Sequence, residues 1–165
     1  MSPSPVLLQS HHVIEQSFFK NDLILIQLVE AKLIDPHSSK NRLYLPFDDA
    51  LANEIETPPH RGKTASSYTR SVGAVLGRLA STDDGRLLQV DGGASPEARE
   101  AALRRIAEKI SDLQDTIKVA IVNGDAFPTI PGRIEKSDAV GTVRNFVFGH
   151  NMLKRIMYAT QEEDR

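Results

Sequence analysis

The chain has 165 residues, of which 40% are hydrophobic and 25% charged, and 20 Lys and Arg against 22 Asp and Glu give a formal charge of −2. This composition indicates a globular protein of one domain, with or without an extension. It excludes a disordered chain, a collagen-like repeat and a bundle of membrane helices. The near-neutral charge disfavours a globally basic nucleic-acid binder but leaves a local basic face open. The absence of cysteine excludes disulfides, cysteine-ligated zinc, iron–sulfur clusters and a cysteine nucleophile.

No targeting or membrane segment is predicted. Residues Met1–Leu8 carry no positive charge ahead of a very short apolar run, so we expect no signal peptide in this chain. No stretch approaches the roughly 20 apolar residues of a spanning helix, and we expect no membrane contact. If the protein leaves its cell, we expect a non-classical route.

A short strand is predicted between Leu7 and Ile14, and it contains the adjacent residues His11 and His12. Neighbouring side chains on a strand point to opposite faces. One imidazole can therefore face a metal while the other faces a substrate. On the pair alone, chance adjacency of two ordinary histidines is the competing interpretation.

The next predicted element is a helix from Leu23 to Ile34, capped by Asn21 or Asp22. It is nearly apolar on all sides, which indicates burial. Its Ile and Val content leaves a strand as the alternative. Asp35-Pro36 ends the segment, because a residue before proline avoids the helical region.

The middle of the chain alternates rigid and helical segments. We predict a strand or extended loop over Arg42–Pro46 and a rigid lead-in at Thr57–Pro59. A helix over 64–80 follows, with apolar residues at three-to-four spacing. The Gly-, Asp- and Ser-rich segment 82–95 predicts a linker or a hairpin.

The clearest amphipathic helix is predicted over 96–118, with Ser95 as its cap and Pro96 at its first position. A core-packing stripe is favoured over a coiled-coil seam, because the pattern is short. A last helix is predicted over 140–159. The whole indicates an α+β, mostly helical fold with a core over 1–81, a linker or hairpin over 82–95 and a helical extension over 96–165 packed on the core.

Two further residues complete a constellation with the His-His pair. Asn41 lies in a polar turn just before Arg42–Pro46, and His60 follows the proline lead-in at the expected start of a helix. An Asn in a turn is usually only turn chemistry. The order His-His, then Asn, then His at a helix start favours a metal-dependent site.

Local charge supports the same region. No acidic residue lies between Glu56 and Asp83, whereas that segment contains Arg61, Lys63, Arg70 and Arg78. A solvated helix face is the alternative to phosphate contact. A second acid-free stretch, 139–161, contains Arg144, Lys154 and Arg155, and these residues are further candidates for contact with substrate.

Three motifs together resemble the AHH family of toxin nucleases, within the HNH or His-Me finger (ββα-metal) endonuclease superfamily. They are Ser10-His11-His12-Val13-Ile14, Asn41-Arg42-Leu43-Tyr44-Leu45-Pro46, and His60-Arg61-Gly62 with Tyr68. The resemblance spans about residues 7–79. It implies a small ββα-metal core at the start of the fold.

The resemblance also implies roles for the matched residues. His12 corresponds to the general base that activates water, and Asn41 to the residue that holds that base in position. His11 and His60 correspond to the metal ligands. On the local charge, Arg61, Lys63 and Arg70 are the expected contacts to phosphate.

Three positions depart from the family pattern, and the first, Ser10 where the family has Ala, exchanges one small residue for another. Thr64 stands where a second histidine commonly follows the residue matching His60, and Tyr68 lies one residue later than usual. On a helix His60 and residue 64 would share a face, so one imidazole ligand is absent. Either the alignment slips by one residue, or the metal has fewer protein ligands and more water. The latter suits one Mg²⁺ or Mn²⁺ ion better than Zn²⁺ or Ni²⁺, which remain alternatives.

The resemblance therefore implies a metal-dependent endonuclease that hydrolyses DNA, as a bacterial antibacterial toxin or secretion-system effector. Such a protein would act in the cytoplasm of a target cell and would have a cognate immunity protein. The competing hypotheses are a non-catalytic α-rich interaction protein and a hydrolase of RNA or other phosphodiesters. The sequence makes no prediction of the oligomeric state.

Overall fold

A computed structural model of the protein describes residues 8–60, 64–90, 93–123 and 125–129. Within these residues the elements in chain order are two strands and six α-helices, with a short 3₁₀ helix at Ser39–Asn41. They are β1 (Leu8–His12), α1 (Gln16–Asn21), α2 (Leu23–Glu30), β2 (Arg42–Pro46), α3 (Asp49–Glu54), α4 (Ser66–Ala80), α5 (Asp83–Gln89) and α6 (Pro96–Val122). The prediction of an α+β, mostly helical fold is confirmed.

The two strands form an antiparallel sheet whose register positions the histidines. Leu8 pairs with Pro46 at one end, and His12 pairs with Arg42 at the other. Because side chains alternate along a strand, His11 is buried, whereas His12 keeps partial contact with solvent. The predicted strands at both places are confirmed.

Two helix starts have the side-chain caps that the sequence predicts. The Asp22 carboxylate accepts from the backbone N–H groups of Ile24 and Leu25, and Ser95 accepts from that of Ala98 with Pro96 at the first helical position. Each cap satisfies an otherwise unpaired donor, a contribution of about 1 kcal/mol. The predicted caps at Asp22 and Ser95 are both confirmed.

The core lies where α6 packs against α5, α2 and the 3₁₀ helix. The predicted apolar stripe of α6 is buried at Ile106, Ile110, Leu113 and Ile117. The first half of the chain contributes further buried side chains from α2, α4 and the strands, among them Leu25, Leu28, Leu45 and Val72. The β1–β2 sheet is thereby supported by a helical core.

Helix α2 is shorter than predicted and ends at Glu30 rather than at Ile34. Lys32 takes a left-handed conformation with φ of 57°. The backbone N–H of Leu33 bonds to Leu28 O, and that of Lys32 bonds to Val29 O. This pair of bonds is the Schellman motif, which satisfies the last carbonyls of a helix and reverses the chain. The helix therefore ends at this motif, and Pro36 is not what ends it.

The segment 82–95 differs from the predicted linker or hairpin, because helix α5 occupies Asp83–Gln89. The Thr82 hydroxyl accepts from the backbone N–H of Gly85, and Asp83 and Asp84 lie in the first turn, where acidic residues favour a helix. Helices α1 and α3 were not predicted either. The predicted helix 140–159 lies outside the described residues.

Two helical glycines provide a matched test of this packing. A Cβ at Gly85 would lie 2.6 Å from the Ala80 carbonyl oxygen, whereas a Cβ at Gly77 would meet no atom within 4 Å. We expect Gly85→Ala to lower the free energy of unfolding by about 1–3 kcal/mol, since backbone must move. Gly77→Ala should raise it by about 0.5–1 kcal/mol. Urea denaturation measures the free energy of unfolding of both variants. Equal changes in the two variants would contradict the close packing of α5 at Gly85.

Candidate functional site

His11 and His60 come from distant parts of the chain and meet side by side. β1 carries His11 inward, and the backbone N–H of His60 bonds at 2.8 Å to the carbonyl of Pro46, the last residue of β2. The two ring centroids lie 4.6 Å apart with an interplanar angle of 64°. The sheet therefore positions both residues, with His11 on β1 and the backbone of His60 bonded to the end of β2.

The environment of His11 keeps its imidazole neutral. The residue is 2% exposed, and its ring lies 5.4 Å from that of Tyr68. Burial, with smaller effects of His60 and His12, lowers the pKa of His11 from 6.5 to about 3. In the described part of the chain its Nε2 atom has no hydrogen-bond partner. A neutral imidazole with an unused nitrogen is what a metal ligand requires.

His60 is buried as well, but it does not lie at a helix start as predicted. Helix α4 begins six residues later, at Ser66, after Ala65 is anchored by a bond from its N–H to the carbonyl of Pro128. Thr64 consequently precedes the helix and shares no helical face with His60. The His60 Nδ1 lies 3.2 Å from the Thr129 hydroxyl, and burial lowers the pKa of His60.

His12 is only partly buried and has a separate set of neighbours. Its Nε2 atom lies 3.2 Å from the Gln16 side-chain nitrogen, and its ring centroid lies 5.9 Å from that of His37. Burial, followed by electrostatic effects of Arg42 and His37, lowers the pKa of His12. The ring is therefore neutral at physiological pH and can accept a proton.

The three predicted histidines line one cavity of about 320 Å³, which we call the histidine cavity. Its remaining lining is polar and comes from β1, the residues after β1 and the segment before α4: Gln9, Ser10, Glu15, Gln16 and Thr64. The fold thus brings together residues that are separated by nearly fifty positions in the sequence. Two of the three rings, those of His11 and His60, are buried, and that of His12 is partly open to solvent.

Asn41 is completely buried and holds the chain just beyond His12. Its Oδ1 accepts from the backbone N–H of Ile14 at 2.9 Å, and its Nδ2 donates to the carbonyls of Ile14 and Pro36 at 3.0 and 2.9 Å. Its own carbonyl accepts from the N–H of Val13. Gln114 of α6, which the sequence analysis did not single out, donates to the same Oδ1 at 3.1 Å.

Tyr68 holds the same segment from another direction. Its hydroxyl donates to the Val13 carbonyl at 2.7 Å, and the side chain is fully buried. Burial, with the nearby charge of Glu15, raises the pKa of Tyr68 well above its usual range. The hydroxyl therefore keeps its proton and remains a donor. Val13 and Ile14 are fixed by a buried amide and a buried phenol, and His12 is fixed with them.

The predicted phosphate contacts are only partly within the described residues. Arg70 is exposed on α4 and lines an adjacent cavity of about 670 Å³, which shares Glu15 and Thr64 with the histidine cavity. Arg61 and Lys63 lie outside the described residues, as do Arg144, Lys154 and Arg155 of the second basic stretch.

The sequence analysis missed three polar residues around the histidines. Glu15 lines both cavities and accepts from the Thr69 hydroxyl at 2.7 Å. Gln16 contacts His12, and His37 follows the Asp35-Pro36 turn. The proximity of Glu15 and Gln16 to the His-His pair in sequence was the only available indication, and for His37 the sequence offered none.

The donor set fits a divalent cation held by few protein ligands. His11 and His60 are adjacent, neutral and buried, and the Nε2 of His11 is without another partner among the described residues. Within that same part of the chain, no group of three or more His, Asp or Glu residues has the arrangement of a metal site. A cation held here would therefore have two imidazole ligands, with water at the remaining positions.

Comparison with models of known protein families, with curated proteins and with solved structures gives no match for this chain. Among the described helices, none is long and apolar enough to cross a membrane.

The hydrogen bond from the Tyr68 hydroxyl to the Val13 carbonyl can be tested by substitution. Tyr68→Phe leaves the buried Val13 carbonyl without its donor, and we expect the free energy of unfolding to fall by about 1–3 kcal/mol. Tyr44→Phe, at a 60% exposed tyrosine on the same sheet, should change it by less than about 0.5 kcal/mol. Chemical denaturation compares the two variants, and equal stabilities would contradict the buried contact.

The buried histidines also predict how stability depends on pH. The folded protein binds a proton at His11 only near pH 3, whereas the unfolded chain does so near pH 6.5. The unfolded state therefore holds more protons below pH 6.5. This contribution to stability is fully present above that pH and is lost as the pH falls, by up to about 1.4 kcal/mol per pH unit.

Denaturation with a chelator present, between about pH 7 and pH 5, measures this effect above most carboxylate titrations. We expect His11→Gln to show a shallower dependence than wild type, because it lacks the titrating ring. A variant with an unchanged slope would show that His11 does not carry the effect.

Proposed function

We propose that this protein is a metal-dependent endonuclease that hydrolyses DNA phosphodiester bonds through a ββα-metal core formed by β1, β2 and α4. The observation that carries the proposal is the convergence of His11, His12 and His60 on one cavity. The order of these residues along the chain matches the resemblance in the motifs. Their geometry adds that two rings are buried together while the third is partly open.

The proposed base is His12. Phosphodiester hydrolysis needs a group that takes a proton from the attacking water. The lowered pKa of His12 keeps its ring neutral near pH 7. The contact with Gln16 limits rotation of the ring, and Asn41 and Tyr68 fix the backbone that follows it. The base is thus held rigidly without being removed from water.

The proposed metal ligands are His11 and His60. When bound, a divalent cation would neutralise charge on the phosphate and stabilise the departing oxygen. The two rings supply nitrogen ligands that burial already keeps unprotonated. Mg²⁺ and Mn²⁺ are the proposed ions, and Zn²⁺ and Ni²⁺ are the alternatives that suit imidazole ligands.

The substrate would approach along the exposed side of the cavity. Arg70 lies on the neighbouring surface of α4 and is proposed to contact phosphate together with Arg61 and Lys63. Such contacts position a nucleic acid without reading its sequence. The role as an antibacterial toxin or effector, and with it an immunity protein, rests on the resemblance in the motifs.

Replacement of the proposed base tests the function directly. We expect His12→Ala to lower the rate of plasmid nicking by about 10²- to 10⁴-fold with Mg²⁺ or Mn²⁺ present, because general-base catalysis contributes that much. Tyr44→Phe serves as the folded control on the opposite strand, and its rate should equal that of wild type. Gel electrophoresis of supercoiled plasmid, with and without chelator, measures both.

Circular dichroism should show the wild-type fold for the His12→Ala variant. Nicking that survives this substitution would exclude His12 as the base. An RNA substrate tested in parallel distinguishes a ribonuclease from a deoxyribonuclease. If neither nucleic acid is cleaved with Mg²⁺, Mn²⁺, Zn²⁺ or Ni²⁺, the result favours the hypothesis of a non-catalytic interaction protein.

A further inference from the structure

A second group of polar side chains lies beside His12. Gln16, His37 and Arg42 form this group, which we call the His37 cluster. The Nδ1 atom of His37 lies 3.4 Å from the Gln16 side-chain nitrogen and 3.4 Å from an Arg42 guanidinium nitrogen. Through Gln16 the cluster is joined to the Nε2 atom of His12 at 3.2 Å.

The fold builds this cluster from three separate segments. Arg42 lies directly opposite His12 in the sheet register, and Gln16 is the first residue of α1. His37 is fixed by the Asp35 carboxylate, which accepts from its backbone N–H at 2.8 Å. The same Asn41 that binds Ile14 also binds the Pro36 carbonyl. The cluster is therefore held by the contacts that hold the proposed base.

The positive charge of Arg42 in this cluster has no acidic partner among the described residues. In the described part of the chain, no carboxylate forms an ion pair with Arg42, and its buried Nε atom has no hydrogen-bond partner. Asp35, the acid that contacts the cluster, binds the backbone of His37 and not the guanidinium. An arginine with unused donors beside an imidazole and an amide is suited to bind a phosphate.

We propose that Arg42, His37 and Gln16 form a phosphate-binding subsite that holds the nucleic-acid backbone against His12. This inference rests on the proposed nuclease function, and it adds residues that the motifs do not assign to substrate. Arg42 supplies the charge and a fork of donors. His37 contacts the guanidinium and orients it, and Gln16 supplies a further polar contact through His37.

The salt dependence of DNA binding tests the subsite without catalysis. Fluorescence anisotropy with a short labelled duplex, in chelator so that no cleavage occurs, gives the slope of log affinity against log salt. We expect Arg42→Gln to make that slope shallower by about 1 and to weaken binding several-fold, because one phosphate contact is lost. Arg104→Gln, which removes an exposed arginine paired with Glu100 on α6, should bind as wild type does.

Because Arg42 is half-buried, a second variant is needed to distinguish loss of the subsite from loss of folding. His37→Ala removes an exposed ring and should also weaken binding several-fold while preserving the thermal transition. Wild-type affinity and slope in both variants would overturn the subsite. If wild type cleaves DNA with metal while these slopes stay unchanged, only the subsite fails; if wild type neither binds nor cleaves DNA, the nuclease proposal fails with it.

Discussion

The buried amide of Asn41 is the constraint on which the candidate site depends. It pairs with both backbone polar groups of Ile14, with the Pro36 carbonyl and with the Gln114 side chain. A buried polar group left unpaired costs about 1–3 kcal/mol, so these contacts tolerate little displacement. One side chain thereby connects the end of β1, the turn before β2 and helix α6.

Alternation along a strand explains how two adjacent histidines acquire different chemistry. Burial removes water from His11 and leaves its ring neutral far below physiological pH. His12, one residue later, keeps solvent contact and lies among polar and positively charged neighbours. The buried ring of His11 suits metal coordination, and the partly exposed ring of His12 suits proton transfer. No difference in residue type is needed, because the sheet supplies the difference in environment.

The sequence predicted those features that are determined locally. Asp22, Ser95 and Pro96 act through their own backbone neighbourhood, and their capping roles could be predicted from type and position. The end of α2 at Glu30 could not be predicted, since the left-handed Lys32 that follows it carries no compositional signature. The segment 82–95 was wrongly predicted to be a linker or a hairpin. Its glycine at position 85 does not form a turn but allows close approach of helix α5 to the backbone of Ala80.

The candidate site was predictable to the same extent. The order of His11, Asn41 and His60 indicated that these residues belong together, and the structure places His11 and His60 side by side. The sequence did not indicate Gln16, His37 or Gln114, because the contacts of these residues depend on tertiary packing. Gln114 is the most instructive of these, because it sits inside the apolar stripe of α6, where a polar residue looks like a break in the pattern. Its bond to Asn41 shows that the long helix does more than fill the core: it supplies a partner to the residue that positions the proposed base.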